Sequence, residues 1–111
     1  MSSNTWIKSG QVRDLLKNSI TTDTGAWQYK DSPYATYQAT VTGTGAVTAT
    51  VVIETSNDQT NTVGTPMGTI TLSGTTSASD GFTSTAPWKY VRARISAISG
   101  TGATVNVNTG T

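Results

Sequence analysis

From Val91 to Ala97 the chain alternates strictly. Val91, Ala93, Ile95 and Ala97 are apolar, while Tyr90, Arg92, Arg94 and Ser96 carry polar atoms. A period of two is the signature of a β-strand, with one set of side chains against a core and the other facing solvent or a partner. The alternation opens near Trp88. After Ser99-Gly100-Thr101-Gly102 it resumes, with Ala103, Val105 and Val107 on one face and Thr104, Asn106 and Asn108 on the other. Residues 88–107 therefore read as a β-hairpin. One face is dry and aliphatic, and the other holds two guanidinium groups beside an aromatic ring.

The same pattern occurs upstream. Ala35, Tyr37, Ala39 and Val41 alternate with Thr36, Gln38, Thr40 and Thr42, and Val47, Ala49, Val51 and Ile53 alternate with Thr48, Thr50, Val52 and Glu54. Gly43-Thr44-Gly45 between them reads as the turn of a second hairpin. Gly-Thr-Gly-Ala occurs at 43–46 and again at 100–103, an echo of turn chemistry rather than a structural repeat. Thr55 to Pro66 is rich in Asn, Asp, Thr and Gly and reads as a loop. Ile70 and Leu72 mark a short strand, Gly74 to Ser79 a flexible polar link, Asp80-Gly81 a turn, and Ala86-Pro87 an extended lead-in to Trp88.

The N-terminal part is less regular. Trp6-Ile7 is an apolar island within residues 1–10, a first strand or an arm. Val12, Leu15, Leu16 and Ile20 fit a helical i, i+3, i+4, i+8 template over residues 11–18, and a short buried strand, Leu15 to Thr21, fits them equally. Trp27 follows Gly25-Ala26 in a polar connection, as a plug over one end of a sandwich would. Threonine makes up about a fifth of the chain, which favours strands and tight turns. The expected fold is all-β: a single domain spanning residues 1–111, an antiparallel β-sandwich of jelly-roll type with at most one short helical turn near 11–18. Its inward residues are mostly Ala and Val, so Trp88, Phe82, Tyr37 and Trp27 are the expected bulk of the core.

Composition removes most chemistry. The chain has no His and no Cys, and hence neither the commonest general base nor the commonest metal ligands. No Ser-x-x-Lys occurs, because Thr5, Asp14, Trp27 and Ala86 precede the lysines by three. The six carboxylates are scattered, and the Asn57-Asp58 loop lacks the repeated acids of a calcium loop. Each Gly-x-Gly opens a strand, whereas a phosphate cradle opens a helix. A net charge of +1 with 12% charged residues is too sparse for nucleic acid. No apolar run reaches membrane-spanning or signal-peptide length, so a protein made and kept in a cytoplasm, or released by lysis, is expected. The expectation is a protein that is not an enzyme, needs no cofactor or metal, and touches neither nucleic acid nor membrane.

Surfaces remain. Tyr90, Arg92 and Arg94 project from one strand face, with Glu54 as a candidate acid across the strand. They form either a solvated sheet face or a recognition face, Arg and Tyr being the residues that dominate protein interfaces. A second candidate surface is a glycan-stacking platform formed by Trp27 and Tyr34.

Three runs also carry a resemblance: YQATVTGTGAVTATVVIETSND (37–58), GTITLSGT (68–75) and DGFTSTAPWKYVRARISAISGTGATVNVNTG (80–110). They resemble small structural proteins of tailed bacteriophages, above all the capsid decoration or "staple" proteins of epsilon-fifteen-type short-tailed phages. The likeness covers about the last three-quarters of the chain and is most specific over APWKYVRARISAISGTGA. It implies a jelly-roll sandwich on the outer surface of a virion head, bound to the major capsid protein near two-fold positions as a homodimer. There it would tie neighbouring capsomers together against the pressure of packed DNA. The alternatives are a carbohydrate-binding module on the virion surface that aids host attachment, and a tail or baseplate component sharing the sandwich.

Overall fold

In a computed structural model, which describes residues 5–7, 11–30, 33–58 and 65–111, the chain is built of strands. In order they are β1 (Thr5–Ile7), β2 (Val12–Ser19), β3 (Asp23–Thr24), β4 (Gln28–Lys30), β5 (Ala35–Ser56), β6 (Thr65–Ser84), β7 (Tyr90–Ser99) and β8 (Thr104–Gly110). All pairings among them are antiparallel except β1 with β4. The expected all-β antiparallel sandwich is the observed architecture, and Trp6-Ile7 belongs to a strand.

The frame is the β5–β6 ribbon. β5 runs for 22 residues and pairs along one edge with β6 from Ala35↔Ser84 to Thr55↔Thr65. Along its other edge it pairs with β8 through Thr36–Thr42 and with β7 through Thr48–Ser56. One long strand thus serves two layers, β2–β8–β5–β6 and β1–β4–β7–β5–β6, with β3 continuing the β4 edge along β7. The bend lies where Thr42↔Ser77 gives way to Ala46↔Thr75, so Gly43, Thr44 and Gly45 stand against Thr76 alone. Gly45 has φ +102° and Thr76 φ +70°, the left-handed conformations that let both strands turn together.

This corrects the two expected hairpins. Gly43-Thr44-Gly45 is a bulge inside a continuous strand. β7 and β8 do not pair with each other; both dock end to end on β5, and residues 100–103 carry the chain between layers. Gly74–Ser79 and Asp80-Gly81 lie within β6 rather than in a link and a turn. The true hairpin is β5–β6, its connection running through residues 57–64, of which 59–64 fall outside the described residues. The two Gly-Thr-Gly-Ala segments meet at the bend, where the Thr44 N–H donates to the Thr101 carbonyl at 2.9 Å. Their likeness marks two backbones that must pass close together.

One core joins the layers. Ala35, Tyr37, Ala39 and Val41 of β5, Val105 and Val107 of β8 and Leu15 and Leu16 of β2 face Val47, Ala49, Val51 and Ile53 of β5, Ile70 and Leu72 of β6 and Val91, Ala93 and Ile95 of β7. Small aliphatic residues suffice because two sheets close over a thin layer. Tyr37 is the large ring fully inside, and Phe82 packs against it at a centroid distance of 5.3 Å while only partly buried. Trp88 is half-buried at the β6–β7 connection, beside Asn57 and Pro87.

The stretch with helical spacing is β2. Its ladder with β8 is broken between Asp14 and Leu16 and again between Leu16 and Ser19, with Asn18 at φ +55°. The first bulge turns both Leu15 and Leu16 inward, while Val12 and Ile20 remain 74% and 70% exposed. Adjacent inward residues on a bulged strand imitate helical spacing. A bulge also shifts β7, where Thr50 pairs with Ala97 but Val51 pairs with Ile95. Beyond it the parity flips, so Ala97 is exposed and Ile98 packs on the core.

Candidate functional site

The outer face of β4–β7–β5 carries the polar set. Backbone register places Glu54 opposite Arg92 and Val52 opposite Arg94, so Glu54 is the direct neighbour of one guanidinium and the diagonal neighbour of the other. The Nε–H of Arg92 donates to Glu54 Oε1 and that of Arg94 to Oε2, each at 2.8 Å. The carboxylate is thereby held at both oxygens. Such charge-assisted bonds are the strong class, and here they are largely out of water. Exposure of the three side chains is 6% for Glu54, 11% for Arg92 and 38% for Arg94.

Trp27 completes the clamp. The β3–β4 edge runs along β7, joined midway by the Gly25 N–H donating to the Ala93 carbonyl at 2.8 Å. This lays Trp27 beside Arg92, whose Cζ sits 4.3 Å from the ring centroid in a cation–π contact. Trp27 is buried here against Arg92. Next along the face Tyr29 pairs with Tyr90, the rings meeting edge-on at 5.7 Å and 73°. Tyr29 was missing from the sequence-level candidates, although its alternation with Trp27 carried the signal. On the opposite face of the same short strand, the Lys30 ammonium is buried and donates to the Ala86 carbonyl at 2.9 Å.

Electrostatics agree with a locked unit. Burial would push the Glu54 carboxyl up, but hydrogen bonds from Arg94 and Arg92 and the charges of both outweigh it and hold its pKa below the ordinary value. A carboxylate so held does not serve as a proton acceptor. The reachable part of the site is Arg94, which borders a shallow recess with Thr22, Asp23, Thr24 and Ser96.

The structure brings Tyr90, Arg92, Arg94 and Glu54 together on one face. It does not assemble the glycan-stacking pair. Trp27 lies beneath Arg92 in one layer, while Tyr34, 67% exposed, precedes β5 in the other, near Gly110 and Thr111. Among the described residues no cluster of three His, Cys, Asp or Glu side chains could hold a metal ion, and no helix is long and apolar enough to cross a membrane. Compared with protein-family models, curated proteins and solved structures, the chain matches none of them.

Proposed function

We propose that this chain is a virion structural protein that binds the outer surface of a phage capsid and staples neighbouring capsomers of the major capsid protein. The observation that carries the reading is the preordered polar face. Arg92, Glu54 and Arg94 lie on β5 and β7, within the runs that resemble phage staple proteins, and Trp27 from the β3–β4 connection covers Arg92 to complete one unit. A clamp must not yield when its partners are pulled apart, and side chains fixed by one another lose little freedom on binding. A dimer astride a two-fold joint would add the gain of linked contacts, the second binding at high effective concentration.

The test is co-sedimentation of the purified protein with phage heads that lack it. Saturable binding to heads with no retention on a glycan array supports the staple. Glycan binding without head binding would replace it with the second reading, a carbohydrate-binding module on the virion, for which the exposed ring of Tyr34 is the remaining candidate.

A further inference from the structure

One edge of β6 faces no described strand. Among the described residues β6 bonds only to β5, and its other edge is unpaired for the length of a 20-residue strand. Proteins protect such edges with charges, prolines or short strands. Here no charged residue occurs from Thr65 to Ser79, and the one proline, Pro66, lies at the start. The side chains of Thr69, Thr71, Ser73 and Thr75 on the outer face are exposed, while Ile70 and Leu72 point into the core.

The sequence of this edge names its occupant. Gly68-Thr69-Ile70-Thr71-Leu72-Ser73-Gly74 reads nearly the same in both directions about Thr71. The regular part of the ladder is also centred there, bounded by the irregularity at Pro66–Gly68 and by the bend at Thr76. Two copies related by a two-fold axis through Thr71 would set Gly68 against Gly74, Thr69 against Ser73, Ile70 against Leu72 and Thr71 against its own mate. Each is a pairing of like size and chemistry, free of like charges. Because residues two apart share a face, the aliphatic pairs would continue the inner face and the hydroxyl pairs the outer face of one sheet across the joint.

We infer that the partner of the β6 edge is a second copy of this chain, paired antiparallel through Gly68–Gly74 with Thr71 opposite Thr71. The inference concerns the two-fold dimer of the staple reading but does not rest on it, since it can be measured without any capsid. One strand pair buries less than a standard interface, so the association is expected to be concentration-dependent.

Sedimentation velocity over a concentration series up to the millimolar range is the experiment, on the wild-type chain, Thr71→Lys, Thr71→Glu and an equimolar mixture of the two. The wild type should dimerise, and each variant alone should dimerise at least about ten-fold more weakly, because like charges then face each other across the axis. The mixture should re-form a one-to-one pair. Thr71 is exposed on the outer face, so melting curves should show both variants folded. A Thr69→Lys, Ser73→Glu double variant checks the register independently, because it is self-complementary and should keep the dimer. A monomeric wild type, variants that dimerise as the wild type does, or a mixture that stays monomeric would overturn the inference and leave the capsid reading standing.

Discussion

Arg92 holds Glu54 at 2.8 Å from the adjacent strand while its guanidinium rests on Trp27, 4.3 Å from the ring centroid. One side chain thus joins the β3–β4 connection to β5 through the only glutamate in the chain. Removing the acid leaves a mostly buried cation without its counter-charge, and this is where such pairs matter most. Glu54→Ala is expected to cost roughly 3 kcal/mol of stability, read from chemical denaturation. A loss below about 0.5 kcal/mol would mean that the pair behaves as an ordinary surface bridge.

The same pair sets an acid limit. The Glu54 pKa is lower in the folded chain than its ordinary value of 4.5. Its contribution is therefore complete above the unfolded-state pKa and is lost as pH falls through the lower folded-state value. Unfolding curves for wild type and Glu54→Ala should lie farthest apart near neutrality and converge under acid. A gap that stays constant well below pH 4 would contradict this linkage.

The bend offers a test of close packing. Gly100 has φ +119°, and a Cβ there would lie 2.6 Å from the Ala46 carbonyl oxygen; Gly45 has φ +102° with nothing within 4 Å of the same atom. Gly45→Ala carries backbone strain alone, about 1 kcal/mol. Gly100→Ala adds a clash between two backbones and should cost at least twice that, roughly 2–3 kcal/mol. Equal losses by thermal melting would show that the two Gly-Thr-Gly-Ala segments do not press together.

The bulge in β7 makes neighbouring odd positions unequal. Ile95 is 1% exposed, and Ile95→Asp buries an unpaired charge and should abolish cooperative folding. Ala97→Asp falls beyond the parity flip on an exposed residue and should change stability by less than about 0.5 kcal/mol. Unfolding of both variants would place the alternation without a break, as the bare sequence suggests.

Much of this architecture was legible because alternation survives wherever a strand is regular. Ala35–Val41, Val47–Ile53, Val91–Ile95 and Val105–Val107 face the core as their period demands. Bulges and pairing partners were not legible. Gly43-Thr44-Gly45 has the composition of a hairpin turn, yet a second strand beside it for its whole length turns it into a bend. Gly-Ser-Thr composition likewise disguised the middle of β6 as a linker, since its ladder is held by β5 rather than by its own propensity. At the site, Glu54 was placed across from Arg92 by strand register alone. The cover of Trp27 was hidden because it depends on the β3–β4 edge docking on β7. Because Glu54 is held between Arg92 and Arg94, an Arg92→Glu, Arg94→Glu pair would drive three carboxylates together, and the fold would suffer along with any interface.

The claim that this domain works as a mechanical clamp is tested most directly by the retention of packed DNA. DNA-filled heads lacking the protein would be saturated with it and heated, with released DNA followed by nuclease sensitivity. The account predicts that saturated heads hold their DNA to a higher temperature than bare heads, and that Glu54→Ala, once bound, protects them less. Release at the same temperature with and without full occupancy would contradict it.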